Sequence, residues 1–360
     1  MKLTIDGRKI EVQEGTTVLE AAGLLGISIP TLCHHPKLTP FGGCRLCIVE
    51  IKGVPQPVTS CTTPAADGME VFTSTEQLLN MRKTILGLIL SDHPNDCMVC
   101  EKAGDCELQE LVYLHGLSPL RGAEGGVFFG ERRSYKDNDE NPFIARDMEK
   151  CILCGRCVRI CEEVQGVGAI DFAYKGFKSK VCPPYERSLD CEFCGQCVSV
   201  CPTGALTGKQ WARKGRTKNV RKTDTVCAYC GTGCNITLHV RDNEVIKVTS
   251  AEDNLNEGLL CVKGRFGYKF INSPERLKKP LIRIVPKGEP SNGKNAFREA
   301  EWEEAFDLIS SRLKHIKAKY GPDSIGGLSS ARCTNEENYL FQKLIRAAVG
   351  TNNVDHCARL

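Results

Sequence analysis

Cys151-Ile152-Leu153-Cys154-Gly155-Arg156-Cys157-Val158-Arg159-Ile160-Cys161 and Cys191-Glu192-Phe193-Cys194-Gly195-Gln196-Cys197-Val198-Ser199-Val200-Cys201-Pro202 repeat one spacing, C-x2-C-x2-C-x3-C, within a single chain. Thiolates are soft metal ligands, and two matched runs of four at this spacing suit iron–sulfur clusters. A zinc site would take separate C-x2-C pairs instead. The chain holds 22 cysteines in 360 residues, far more than an intracellular protein buries for packing alone. A secreted disulfide scaffold would open on a signal peptide, whereas Met1-Lys2-Leu3-Thr4-Ile5-Asp6-Gly7 leads straight into alternating polar and apolar residues. Reduced thiols in a cytoplasmic protein are therefore expected.

Upstream of the runs, residues 2–5 and 9–13 alternate as two short strands about the turn Asp6-Gly7, and Thr17 to Leu25 reads as a short helix, together a β-grasp opening. Cys33, Cys44, Cys47 and Cys61 follow at C-x10-C-x2-C-x13-C, a variant of the plant-type spacing for a [2Fe–2S] cluster. Gly42 and Gly43 would let backbone N–H groups approach its sulfurs, and His34 and His35 read as loop residues beside a complete thiolate set. A helix is expected from Thr75 to Ser91, opened by Ser74-x-x-Gln77 and closed by His93-Pro94. His93, Cys97, Cys100 and Cys106 then form H-x3-C-x2-C-x5-C, which puts an imidazole where the fourth ligand of a [4Fe–4S] cluster is otherwise missing. Residues 118–141 show no periodicity and read as a boundary loop.

Downstream, Cys227-x2-Cys230-x3-Cys234-x26-Cys261 encloses an expected hairpin, Asn235–Val240 and Val245–Thr249 joined through Asp242-Asn243, and its thiolates suit one more [4Fe–4S] cluster. Trp302 to Tyr320 has the period of an amphipathic helix, residues 324–330 read as a buried strand, and Thr334-x-x-Glu337 caps a helix running to Val349. Of the cysteines, Cys182, Cys333 and Cys357 stand outside every cluster spacing; Cys182 reads as structural, Cys333 and Cys357 as buried packing or pocket-wall residues. The basic stretch from Lys209 to Lys222 reads as a solvated linker, or as a docking strip for an acidic partner. With 48 basic and 44 acidic residues the net charge of +4 is too small and dispersed for nucleic acid, and no run approaches the roughly 18 apolar residues of a membrane span.

These motifs carry resemblances. The duplicated runs resemble a bacterial two-cluster ferredoxin, in which the last cysteine of each run ligates the other cluster. That implies one [4Fe–4S] on Cys151, Cys154, Cys157 and Cys201, and another on Cys161, Cys191, Cys194 and Cys197. Residues 1–118 resemble the N-terminal cluster modules of the NADH:quinone reductase large subunit, of iron-only hydrogenases and of soluble formate dehydrogenases. The C-x2-C-x3-C-x26-C spacing resembles the cluster domain of molybdopterin oxidoreductases. In that family, Cys261-Val262-Lys263-Gly264 would set Lys263 between cluster and pterin; otherwise Lys263 is an exposed lysine at a helix start. Ala331-Arg332-Cys333-Thr334-Asn335-Glu336-Glu337-Asn338 and residues 351–359 look like formate dehydrogenase segments beside a bis-pterin site.

The resemblance taken whole is to the N-terminal part of a molybdenum or tungsten formate dehydrogenase catalytic subunit. It implies an α+β multidomain chain: a β-grasp [2Fe–2S] ferredoxin at 1–78, a His/Cys3 cluster domain at 79–118 and a two-cluster [4Fe–4S] ferredoxin at 142–208. A [4Fe–4S] Mo/W bis-MGD-type domain at 220–276 and the start of an α/β molybdopterin oxidoreductase domain at 277–360 complete it. One [2Fe–2S] and four [4Fe–4S] clusters are expected, with Mo or W bis-molybdopterin guanine dinucleotide in the full-length protein. The implied partner is a flavin- and NAD(P)-binding iron–sulfur subunit, with ferredoxin or hydrogenase subunits as other candidates. The competing readings are a non-catalytic electron-transfer subunit, or a large subunit related to NADH:quinone reductase or iron-only hydrogenase. Because the family's metal-ligating Cys or selenocysteine follows the segment matching Asp355 to Leu360, codon 361 is expected to be UGA.

Overall fold

The structure is a computed structural model that describes residues 1–117, 131–135, 140–211, 219–284 and 296–356. The 118–141 boundary loop, the middle of the basic stretch and Cys357 fall largely or wholly outside the described residues. Two compact units are distinguished. The first comprises Met1–Thr223, Leu238–Thr249 and Gly258–Phe266; the second comprises Asp224–Thr237, Ser250–Glu257 and the described residues beyond Gly267.

The first unit begins with a β-grasp. Strands β1 (Lys2–Ile5) and β2 (Arg8–Glu11) pair antiparallel around Asp6 and Gly7, both at positive φ as a two-residue hairpin turn requires. Helix α1 (Val18–Leu24) starts at a Thr17/Glu20 capping box, in which each side chain bonds the other residue's backbone N–H. With β3 (Ile48–Ile51), β4 (Val58–Thr59) and β5 (Glu70–Phe72) the sheet runs β2-β1-β5-β3-β4, β1 and β5 being parallel. Leu3, Ile5, Val18, Ala21, Val49 and Val71 bury its inner face against α1, and Cys47 and Cys61 belong to the same core.

Helix α2 (Glu76–Asp92) is capped by Thr75, whose hydroxyl accepts from Leu78 N–H. The Ser74/Gln77 cap expected from sequence is thus displaced by one residue, since adjacent Ser and Thr are interchangeable as caps and the phase of the helix decides between them. Leu86 and Leu90 of α2 pack with Leu108 and Val112 of α3 (Glu107–Leu114) and with Leu32 and Leu46 of the cysteine loop.

The duplicated module follows: β6 (Ile144–Arg146), α4 (Arg156–Arg159), β7 (Asp171–Ala173), β8 (Lys180–Cys182), α5 (Gln196–Ser199) and β9 (Leu206–Gly208). The strands form two antiparallel pairs, β6 with β9 and β7 with β8. Cys182 is buried in β8, as a packing residue should be. At one edge of the basic stretch Lys209 N–H donates to Phe143 O at 2.8 Å and Trp211 packs on Phe266, whereas Arg221 and Lys222 at the other are exposed.

β10 (Arg221–Val226) precedes the expected hairpin, β11 (Asn235–Arg241) and β12 (Glu244–Thr249), whose turn residues Asp242 and Asn243 both have positive φ. A short helix α6 (Val262–Phe266) then returns to the first unit. In the second unit β13 (Leu281–Arg283) pairs with β14 (Phe297–Glu299). Helix α7 (Trp302–Tyr320), β15 (Gly327–Ser329), α8 (Asn335–Lys343), continued by a π-turn to Val349, and β16 (Val354–His356) form a small α/β layer. β15 and β16 are parallel, and the Thr334/Glu337 capping box opens α8. Two expectations fail here. Cys333 is exposed, and Leu328 is 85% exposed, because among the described residues β15 has only β16 beside it. A run of small and apolar residues identifies a strand without showing which of its faces is covered.

Candidate metal centres

The loop between α1 and β3 and the loop after β4 bring together Cys33, Cys47 and Cys61, which are buried, and Cys44, which is half-buried. Cys47 Sγ and Cys61 Sγ are 3.3 Å apart. The Cys33 sulfur acts on those of both Cys44 and Cys61, so the four form one electrostatic set. Backbone N–H groups point at the sulfurs: Leu32 N–H donates to Cys44 Sγ at 3.4 Å and Cys44 N–H to Cys33 Sγ at 3.4 Å. Sulfur–sulfur hydrogen bonds draw the Cys33 and Cys47 thiols down and push those of Cys44 and Cys61 up. Four converging thiolates repel one another, and a bound cationic iron core is what would let all of them ionise together. Gly43 has a second reason beyond backbone approach, since a Cβ there would run into the Phe41 ring.

In the duplicated module two apolar cavities lie side by side. Cys151, Cys154, Cys157 and Cys201 line the first, together with Met148, Val181 and Leu206. Cys161, Cys191, Cys194 and Cys197 line the second, with Ile144, Ile170 and Leu189. Each cavity therefore takes three cysteines from one run and the last cysteine of the other. The two turns are built alike. Leu153 and Phe193 hold positive φ and direct their N–H groups to Cys151 Sγ at 3.4 Å and Cys191 Sγ at 3.3 Å. Gly155 and Gly195 follow at φ 69° and 73°. Burial, and then the neighbouring sulfurs, raise the Cys154 thiol to about 12 and hold the Cys157 and Cys197 thiols well above their ordinary value. Such thiols ionise only against metal, which fits the donor set to a cluster.

His93 ends α2 and is buried. Its Nδ1 accepts from Asn95 N–H at 3.2 Å, and its Nε2 is buried with no hydrogen-bond partner among the described residues. Burial holds the ring neutral, the ligating form. A buried ring nitrogen without a partner is costly, and iron at Nε2 would remove that cost by moving the ring proton to Nδ1 at the expense of the Asn95 contact. Cys100 acts electrostatically on both Cys97 and Cys106, whose thiols burial raises. A Cβ at Gly204 would lie 2.7 Å from Cys100 Sγ, which sets this group against the duplicated module.

Cys227, Cys230 and Cys234 share one segment of the second unit, closed by Cys227 N–H to Cys234 O at 2.8 Å. Cys261 is exposed at the start of α6, in the first unit, and Lys263 on the same helix is exposed.

Along the chain, five family descriptions match in succession. They are the 2Fe-2S iron-sulfur cluster binding domain at 1–76, the NADH-ubiquinone oxidoreductase-G iron-sulfur binding region at 82–121 and the NADH-quinone oxidoreductase subunit 3 ferredoxin-like domain at 141–207. The molybdopterin oxidoreductase Fe4S4 domain at 220–273 and molybdopterin oxidoreductase at 276–360 follow. The alpha subunit of a Geobacter sulfurreducens NADPH-Fe(3+) oxidoreductase is 44% identical over all of this chain and 40% of its own length. The NADH-quinone oxidoreductase G-subunit 2 of Rhizobium meliloti is 42% identical, again over 100% of this chain and 40% of the relative. One chain of the crystal structure of an NAD+-reducing [NiFe]-hydrogenase in the H2-reduced state is 34% identical. The match covers 60% of this chain and 90% of that one, with a TM-score of 0.53. The chain belongs to the NADH-quinone oxidoreductase-G and molybdopterin oxidoreductase iron–sulfur family.

A Staphylococcus aureus protein provisionally named a formate dehydrogenase is 34% identical over 99% of this chain. The chain spans about 40% of the length of the relatives it matches. Its [2Fe–2S] and [4Fe–4S] cluster domains are those of this family. Sequence reasoning missed the arginines that join them. Arg159 donates to Cys33 O and Thr39 O, each at 2.5 Å, and Glu163 accepts from Thr39 N–H and hydroxyl at 2.8 and 2.7 Å. Arg156 donates to Glu107 at 2.7 Å, beside Glu107 N–H to Pro202 O at 3.0 Å. Arg265 is 1% exposed and donates through Nε to Cys194 O at 2.9 Å. Their one local signal is position, since each lies within four residues of a cysteine in a cluster motif.

Proposed function

We propose that the chain is the electron-conducting part of a larger oxidoreductase and holds five clusters. The [2Fe–2S] cluster takes Cys33, Cys44, Cys47 and Cys61. Four [4Fe–4S] clusters take His93 with Cys97, Cys100 and Cys106; Cys151, Cys154, Cys157 and Cys201; Cys161, Cys191, Cys194 and Cys197; and Cys227, Cys230, Cys234 and Cys261. The observation that carries the reading is the pair of apolar cavities, each lined by three cysteines of one run and one of the other. Clusters bound in these sites exchange one electron at a time. The chain's own residues exclude water from the sulfurs, aim N–H groups at them and, through Arg156 and Arg159, lock neighbouring sites into one frame.

The proposed partner is a subunit that binds flavin and a nicotinamide, supported by relatives named for NADPH, NADH and NAD+. The match of residues 276–360 to molybdopterin oxidoreductase supports a molybdenum or tungsten bis-pterin as the far terminus, with Lys263 between it and the last cluster. Formate is the substrate we propose, on residues 331–338 and the relatives named for it. The native complex, purified without oxygen and mixed with formate or with NADPH or NADH, tests this. Cluster reduction by both kinds of donor is expected. Reduction by the nicotinamide alone would keep the conduit and remove formate.

His93 gives a sharper check. A neutral imidazole brings less negative charge to iron than a thiolate, so His93→Cys is expected to retain a [4Fe–4S] cluster with a lowered potential. Spectroscopic redox titration of both forms decides, and unchanged signals and potentials throughout would exclude His93 as a ligand.

A further inference from the structure

We propose that Arg265 sets the potential of the cluster held by Cys161, Cys191, Cys194 and Cys197, making the two clusters of the duplicated module unequal. The inference rests on the ligand sets proposed above. Arg265 is buried, with Nε on Cys194 O at 2.9 Å and Nη2 on Gln196 Oε1 at 3.0 Å, while Gln196 Nε2 donates to Leu260 O at 3.1 Å. Its partners are neutral carbonyl oxygens, and among the described residues no carboxylate pairs with it. A guanidinium stays protonated, so this is a lone buried cation, which is costly unless an anion lies within reach. The anion at hand is the thiolate-ligated cluster, since the guanidinium is bonded to the carbonyl of its ligand Cys194; Cys197 and, less strongly, Cys261 at the start of the same helix also act on it.

The module contains its own comparison. Gly155 and Gly195 occupy equivalent places in the two runs, at φ 69° and 73°. A Cβ at Gly155 would meet the Phe172 ring at 3.0 Å and Phe41 at 3.4 Å, whereas one at Gly195 would collide with Arg265 Cδ and lie 2.9 Å from its Nε. The seat is filled by aromatic rings alone in one half and by a cation beside the Phe266 ring in the other. Other arginines approach the first half, but none sits in the seat at Gly155. Arg156 and Arg133 are paired with Glu107 and Asp92, Arg133 donating also to Cys151 O at 2.9 Å; Arg146 donates to Val181 O at 3.2 Å, and Arg159 is directed away to the carbonyls of Cys33 and Thr39 on the [2Fe–2S] loop. Reduction adds negative charge to a cluster, so a fixed cation on the turn that carries two of its ligands favours the reduced state. The second cluster is therefore the more easily reduced of the pair, and Arg265 is its positioning and charge-setting residue.

Redox titration of the reconstituted full chain, followed by electron paramagnetic resonance, tests this with three variants. Cys191→Ser identifies the signal of the second cluster by removing it; if every signal survives, the ligand reading itself fails. Arg265→Gln is expected to lower the potential of that signal most, so that the fraction reduced at a fixed ambient potential falls several-fold. Arg265→Lys, which keeps the charge, should stay near the unmodified chain. An unchanged potential in Arg265→Gln would overturn the inference, and so would a fall in Arg265→Lys as large as in Arg265→Gln, because packing rather than charge would then be responsible. Should Arg265→Gln shed the cluster, Arg265→Lys decides alone: an unmodified potential supports the assignment and a lowered one overturns it.

Discussion

Replacing Cys201 with alanine is expected to empty the site of the first cysteine run, not the second. Cys201 stands in the second run by sequence, but it lines the cavity of Cys151, Cys154 and Cys157. The variant should lose one [4Fe–4S] cluster, about four iron atoms per chain. Its metal bonds also contribute to folding, so the apolar shell around Met148 and Leu206 should loosen with it. Double substitution separates crossed from uncrossed ligation. Adding Cys154→Ala to Cys201→Ala should cost no further iron, because both act on one cluster, whereas adding Cys194→Ala should cost about four more. Iron and sulfide analysis reads both, and the opposite pattern would show that each run serves its own cluster.

Arg82→Met is expected to release the [2Fe–2S] cluster at a much lower denaturant concentration while the other clusters persist. Arg82 lies on α2 at 3% exposure and donates to Leu46 O at 3.0 Å and Ile48 O at 2.7 Å, the residues on either side of Cys47. Methionine conserves the aliphatic stem but leaves two buried carbonyls without donors. Bonds to a charged donor contribute on the order of 1.5–3 kcal/mol each, so a loss of about 3 kcal/mol is expected. The thiolate of Cys47 also loses a nearby cation. The chain has several domains and need not unfold in one step, so the quantity to follow is the [2Fe–2S] absorbance rather than a global transition. An unchanged release midpoint would contradict the role given to Arg82.

The cysteine runs were legible because a cluster fixes the spacing of its ligands, and the chain shows that spacing whatever surrounds it. The Asp242-Asn243 turn was legible for a similar reason, as two consecutive residues at positive φ demand Asn, Asp or Gly. The arginines were hidden. Arg265 and Cys194 are 71 residues apart, and Arg159 and Cys33 are 126 apart. Nothing in Cys261-Val262-Lys263-Gly264-Arg265 distinguishes the buried cation from the exposed one, and the short helix α6 decides it by turning Lys263 outward and Arg265 inward. Leu328 and Cys333 failed for the converse reason. Composition marked a strand and its flank as apolar, but burial depends on what packs against them.

Iron content with cluster typing of the reconstituted full chain tests the central claim most directly. One [2Fe–2S] and four [4Fe–4S] clusters give about 18 iron atoms per chain, with spectroscopic signals for five centres. A stable holoprotein with about ten iron atoms or fewer would contradict the five-site assignment.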